Sequence, residues 1–348
     1  MTVKGENHTP FPPHTPMLLI RKSAYARAGL IGNPSDGYHG KTLSLTIPQF
    51  RADVSLYEWD QIEVVWSQDD RSRFDSVEEL VRDVRLHGYY GGIRLVKGTI
   101  KKFIEYCWRQ GHTLHDQNFS VRYQSTIPRQ VGMAGSSAII VATLRCLMEF
   151  YGVEIPRRVQ PSLVLSVETE ELNIAAGLQD RVIQVYEGLV YMDFSEGRME
   201  EIHGLHCGVY EPIDRALLPP LYVAYRTDAS EPTEVVHNHL RMRYGQGEPE
   251  VVETMVRLAD LASQARDALL SGEPGRLAAL IDENFELRRS ICRIPAAQVE
   301  MVETARQAGA SAKFAGSGGA IIGTYPGEAA FGPLQAALGG IGCRVLRV

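Results

Sequence analysis

The stretch from Ile127 to Phe150 constrains this chain more than any other: Ile-Pro-Arg-Gln-Val-Gly-Met-Ala-Gly-Ser-Ser-Ala138, then an apolar run broken only by Thr143, Arg145 and Glu149. Ahead of it, Phe119, Val121 and Tyr123 alternate with Ser120, Arg122 and Gln124, the period-two pattern of a half-buried strand. The order is therefore strand, glycine turn, helix. Gly132 and Gly135 let the main chain reverse and approach a ligand closely, and Ser136 and Ser137 stand where the first N–H groups of a helix lack partners. Such a helix end favours an anion, and a serine hydroxyl in its first turn can ligate magnesium. The same Gly/Ser cluster also serves as a plain turn and N-cap. It is not a Walker A loop. A decoy at Gly40-Lys41-Thr42 has Ser35 in place of the first glycine and is followed by the alternating Leu43, Leu45 and Ile47 of a strand.

With 348 residues, 44% of them hydrophobic, the chain can bury a sizeable core in two lobes. A formal charge of −6 argues against a nucleic-acid partner, so any anionic ligand must be met by a few local cations and amides. The five cysteines have no paired spacing, which predicts reduced thiols and a cytoplasmic setting. Residues 1–16 read as a disordered leader, and no apolar run is long enough to span a bilayer.

Turn chemistry and alternation predict strands from Met17 to Trp66, with a dense turn at Gly32-Asn-Pro-Ser-Asp-Gly37. Three- and four-residue spacing predicts a helix within Ser76 to Arg109; the Gly88 to Gly92 cluster before it reads as the entry turn, with a surface for a nucleotide base as the alternative. Pro161 to Leu172 is a proline-opened helix with Glu168 and Glu171 on adjacent turns, and Gly177 precedes a short helix with Asp180 and Arg181 in its first turn. Strands are expected at Gly188 to Phe194, Pro220 to Arg226 and Cys343 to Val348, and helices at Val252 to Leu270, Gly275 to Cys292 and Ala297 to Ala308. The polar segment Thr227 to Glu250 is expected to act as a flap over an acceptor, and His203, His206, His237 and His239 read as ordinary loop histidines.

Pro128, Gly132, Ser136, Ser137 and Ala138 resemble the Pro-x-x-x-Gly-Leu-x-Ser-Ser-Ala motif of the GHMP small-molecule kinases, with one extra residue and Met133 for leucine. Ala26 to Gly32 with Arg27, then Asn33, Asp36 and Tyr38, resembles the first motif of that superfamily. Ser311 to Gly323, with Gly316-Ser317-Gly318-Gly319, resembles the third. Within the superfamily, Leu30 to Tyr38, Tyr89 to Leu95, Gly177-Leu-Gln-Asp-Arg181 and Lys313 to Gly319 are similar to the glucuronokinase branch.

That resemblance implies an α+β fold with two lobes, an N-terminal ribosomal-S5-like α/β lobe over residues 17–194 and a ferredoxin-like C-terminal lobe over residues 195–348. It implies ATP on the loop Gly132, Met133, Ala134, Gly135, Ser136, Ser137, Ala138, magnesium on Ser137 and Glu168, and transfer of the γ-phosphoryl group to the anomeric hydroxyl of D-glucuronate. Asp180 is then the proton acceptor, Arg27 keeps it ionised, Asp36 and Tyr38 meet the sugar, and Gly316, Ser317, Gly318 and Gly319 lie beside the transferred group. A sugar acid needs a cation for its carboxylate, preferably a forked one, and Lys41, Arg129 and Arg181 are the candidates. The partners expected are the sugar acid and ATP, without nucleic acid or membrane, in a monomer or homodimer. Other acceptors (galactose, galacturonate, a heptose) and a catalytically silent sensor remain alternatives.

Overall fold

Alternating residues on either side of the Gly32 to Gly40 turn make a long antiparallel pair, β1 (Leu19–Ile31) and β2 (Lys41–Trp59). Its register breaks where Pro48, Gln49 and Phe50 lack partners, since Ala26 faces Ile47 and Tyr25 faces Arg51; proline cannot donate to a ladder and sits at such bulges. Beyond β2 come β3 (Glu63–Val64), the helix α1 (Ile93–Gln110), β4 (Asn118–Ser125) and α2 (Gly135–Tyr151). The computed structural model describes residues 18–65, 91–226 and 240–348. The expected leader, most of the Gly88 to Gly92 cluster, the start of the Ser76 helix, His237 and His239 lie outside them.

The chain continues through α3 (Gln160–Ser166), a π-helical turn at Val167–Glu171, α4 (Gln179–Tyr186), β5 (Leu189–Asp193), the hairpin β6 (Glu200–Ile202) and β7 (Leu205–Cys207), and β8 (Val209–Ile213). Strands β3, β4, β2, β5 and β8 form one sheet in that order, with β1 also on β2. The second half of β2 pairs with β4 and its first half with β5. Helix α2 is apolar on nearly every side because it is sandwiched between this sheet and α1; Ile140, Val141, Leu144 and Leu147 are all buried. Each such side chain contributes about 1.5–3 kcal/mol relative to exposure. That burial fixes the helix whose first turn carries the Gly/Ser loop.

A second sheet, antiparallel throughout, has β9 (Leu221–Tyr225) beside β11 (Ala320–Thr324) and β12 (Arg344–Arg347), with β10 (Lys313–Phe314) outside β11. The helices α5 (Pro249–Leu270), α6 (Leu277–Ile291), α7 (Ala296–Gln307) and α8 (Glu328–Gly340) belong to this half. Alternation along β9 decides which core each residue joins. Leu221, Val223 and Tyr225 enter the large core shared with the first sheet, while Tyr222 and Ala224 face Phe285, Met301, Phe314 and Leu334. The α+β expectation holds, and the helices expected after Thr227 form within a few residues of their expected bounds.

Strand β8 (Val209–Ile213) pairs with β5, so residues past 194 return to the first sheet before the chain crosses over. Helix α8 was not expected. Pro333 and the glycines at 332, 339 and 340 disguise it, although Phe331, Leu334 and Leu338 keep a buried stripe at helical spacing. Among the described residues no helix is long and apolar enough to cross a membrane, and all five cysteines are free.

Candidate active site

Helix α2 starts from Ala134, which lies in the left-handed region at φ 60° behind Gly132 at φ 69°, and no side chain caps it. A non-glycine residue costs free energy in that region, so the turn must be held by its neighbours. Gln184 Nε2 donates to Ala134 O at 2.8 Å, and Ser137 Oγ donates to the same oxygen at 3.3 Å. The Ala138 amide is already spent on Ala134 O at 3.3 Å. The amides of Gly135, Ser136 and Ser137 are thus the ones suited to an anion. Met133 takes part only through its main chain, since its side chain is in the core and its carbonyl accepts from Arg27 N at 3.3 Å.

The second glycine loop, between β10 and β11, lies directly against the first. A Cβ at Gly316 would collide with Gly132 O, and one at Gly132 would stand 2.9 Å from Ser317 N and Gly318 O. Only glycines allow this approach. Arg27, buried in β1, ties the two loops together by donating from Nη1 to Gly132 O at 2.5 Å and to Ala315 O at 3.0 Å. Its Nε donates to Asp180 Oδ1 at 2.6 Å, and Arg181 Nη1 lies 3.4 Å from Asp180 Oδ2. Burial alone would raise the Asp180 carboxyl, but Arg27 and Arg181, with hydrogen bonds from Arg27 and Gln179, hold it below the ordinary carboxylate range. It is an anion at neutral pH.

Arg181 turns its Nε and Nη2 onto Glu168 Oε2, with the Nε bond at 2.7 Å, and donates from Nη1 to Gly177 O at 2.8 Å. Glu168 sits in the π-helical turn, a distortion frequent at functional sites, and is almost wholly buried. Burial pushes its carboxyl above the ordinary range even with Arg181 upon it. Its other oxygen is not engaged by Arg181, and the Ser137 hydroxyl spends only its proton. Among the described residues no cluster of three or more acidic, histidine or cysteine side chains could cage a metal alone. A magnesium ion that enters with nucleotide phosphates requires only one or two protein oxygens, and the Ser137 hydroxyl and the Glu168 carboxyl are oxygens of that kind.

Asp36, in the short turn Ser35–Tyr38, faces a cavity of about 400 Å³ lined also by Tyr38, His39, Leu165, Gly177, Arg241 and Tyr244. Tyr38 anchors that turn on Leu240 and, on α5, on Val251, Met255 and Leu258. Burial, reinforced by the neighbouring Asp180 charge, pushes the Asp36 carboxyl up to about 6, against the Gln179 amide, Arg27 and Arg181. An ordinary value of 3.8 in the unfolded chain means that native Asp36 holds its proton where the unfolded residue has lost it. Stability contributed by that proton is therefore complete below about pH 4 and declines as pH rises through 6, by at most about 3 kcal/mol. Asp36→Asn is expected to melt above the parent protein at pH 7–8 and to lose that advantage near pH 4 in a chemical-denaturation series. The acid limb of kcat/KM near pH 6 is expected to disappear with it, because that profile reports groups of the free enzyme.

The remaining expected residues separate. Lys41, at the start of β2, points to Asp193 at 3.9 Å and Ser263 Oγ at 3.5 Å and does not line the cavity; nor does Arg129. Arg181 is committed to Glu168, Gly177 and Asp180, so none of the three cations proposed for a sugar carboxylate reaches the cavity surface. Three residues escaped the sequence reading. Arg288 donates to Gly316 O at 2.6 Å and Ser317 O at 3.1 Å, and Lys313 donates to Gly29 O at 2.7 Å and to Asn33 Oδ1. Both are buried without a carboxylate partner among the described residues, and burial lowers both pKa values; the guanidinium nevertheless stays charged and leaves positive potential under the glycine loops. The signal for Arg288 was its place on the stripe Ile281, Phe285, Arg288, Ile291. The third is Arg241, within the segment expected to cover the acceptor.

Residues 94–188 match the family model of the GHMP kinases N terminal domain. The chain is 43% identical over 310 residues to glucuronokinase 1 of Arabidopsis thaliana, covering 87% of this chain and 84% of that one, and 43% identical over 312 residues to the probable glucuronokinase 2 of the same plant. The crystal structure of Lactococcus lactis galactokinase complexed with galactose superposes with a TM-score of 0.73 at 14% identity, covering 94% of this chain and 92% of that one.

Proposed function

This chain belongs to the glucuronokinase family of GHMP kinases, and from that premise we propose that it transfers the γ-phosphoryl group of ATP to the anomeric hydroxyl of D-glucuronate. The observation that carries the reading is the reach of Arg27, which holds Gly132 O and Ala315 O with one nitrogen and Asp180 with another. One side chain can thereby serve both an anion on the amides of residues 135–137 and a hydroxyl beside Asp180.

The sugar hydroxyl attacks the γ-phosphorus, its proton passes to Asp180, and ADP departs. A carboxylate held below its ordinary pKa is a weak base, so Asp180 acts mainly by orienting the hydroxyl and receiving its proton late, as the loose transition state of phosphoryl transfer allows. Arg27 keeps Asp180 ionised, and the amides at the start of α2 with Arg288 beneath the loops meet charge on the phosphates. Magnesium would be held by Ser137 and Glu168, and when bound it supplies neutralisation of phosphate charge. Five free cysteines fit a cytoplasmic enzyme.

The test is ADP release by the purified full chain with D-glucuronate, D-galacturonate, D-galactose, D-glucose and a heptose. We expect kcat/KM for glucuronate to exceed that for the neutral sugars by about 100-fold or more. Preference for galactose or a heptose would move the chain to another sugar kinase, and binding without ADP release from any of them would make it a sensor.

A further inference from the structure

Resting on the sugar-acid reading above, we propose that Arg241 binds the acceptor's carboxylate and so sets the preference for an acid over a neutral sugar. A cavity of about 400 Å³ suits one monosaccharide. Apart from two tyrosines, its ionisable lining is Asp36, Arg241 and His39. His39 is exposed and lies 4.0 Å from Glu196 instead. Arg241 is exposed too, but its Nη2 donates to Ala176 O at 3.0 Å, docking the guanidinium on the segment whose Gly177 closes over Asp36. Among the described residues no carboxylate lies within ion-pair distance of it, so its remaining N–H groups are those of a fork awaiting an acid.

The charges also orient the sugar. Asp36 Oδ2 accepts from the amide of Gln179, the residue before Asp180, at 3.4 Å, so the reacting hydroxyl belongs beside Asp36, where a second carboxylate would be repelled. The acid group is then left to Arg241, the one arginine of the lining. On the same lining, Tyr38 and Tyr244, with ring centroids 4.7 Å apart and tilted by 56°, offer apolar faces to the sugar's C–H surface. Tyr244 Oη donates to Tyr38 O at 3.4 Å, which links the segment bearing Arg241 to the turn bearing Asp36.

The probe is a matched pair, D-glucuronate and D-glucuronamide, which share size and hydroxyls but differ in charge. The parent enzyme should favour the acid by about 10- to 100-fold in kcat/KM, the scale of one charge-assisted fork. Arg241→Met should bring that ratio close to one, mainly through the KM of the acid and with the KM of ATP within about twofold. Arg241→Lys should restore part of the ratio, because a point charge replaces the fork. If the enzyme phosphorylates glucuronate and Arg241→Met leaves the acid-to-amide ratio as in the parent, the assignment of Arg241 is overturned while the kinase reading stands. If the parent favours a different sugar acid, the same ratio taken with that acid and its amide decides. If the parent neither binds nor phosphorylates any sugar acid, both fall together.

Discussion

Asp180→Asn is expected to lower kcat by about three orders of magnitude while ATP still binds. A positioned proton acceptor is worth about 10² to 10⁴ in rate, and here the same carboxylate also compensates two guanidinium groups. Asparagine is the same size and can still accept from Arg27 Nε, which donates at 2.6 Å in the parent. The lone pair of its amide nitrogen, however, is delocalised into the carbonyl and cannot take a departing proton, and on the other side that nitrogen would meet Arg181 Nη1, now 3.4 Å from Oδ2, donor against donor. Arg27 is the less informative target because it also holds both glycine loops, so its loss would disturb the phosphate site at the same time. The measurements are kcat with saturating glucuronate and the ATP dissociation constant by calorimetry. A variant turning over within tenfold of the parent would remove Asp180 from the chemistry.

The glycine loop and its helix were legible in the sequence because they depend on local rules: glycine at positive φ, amides without partners, an apolar run long enough for one helix. Arg27 and Asp180 could be named as candidates, yet their meeting could not, since 153 positions separate them and only the pairing of β1 against the first turn of α4 brings them to 2.6 Å. The return of β8 to the first sheet was hidden for a similar reason. The hairpin of β6 and β7 intervenes, and no period in residues 195–213 tells which sheet will take the strand. Arg241 and Tyr244 belong to a segment without clear period, and their approach to Asp36 follows from the packing of Tyr38 on Leu240, Val251 and Met255, a non-local contact. Glu168 shows the converse. The family resemblance implied a metal ligand there, whereas its pairing with Arg181 comes with the π-helical turn in which it sits.

That pairing carries the second large effect, this time on stability. Glu168 and Arg181 are 2% and 4% exposed, so neither has water to fall back upon. Removing one partner of such a pair costs about 3–5 kcal/mol, because the other charge stays buried alone. Against a total stability of about 5–15 kcal/mol, Arg181→Met should lower the melting temperature by about 10 °C. The double variant Glu168→Met/Arg181→Met should recover most of the loss, because no orphan charge is left, while its activity stays low with Asp180 missing a neighbour. The sign with pH follows from the carboxyl. Burial already raises Glu168 in the parent, and without Arg181 its folded pKa rises further. A raised carboxyl contributes its full stability below the unfolded value and loses it as pH climbs through the folded one. The deficit of Arg181→Met should therefore be largest at pH 7–8 and shrink toward pH 4–5, where Glu168 takes up a proton. Melting curves of the parent, the single and the double variant at those two pH values check it, and a single variant that melts within about 2 °C of the parent at pH 8 would show that the pair stabilises little.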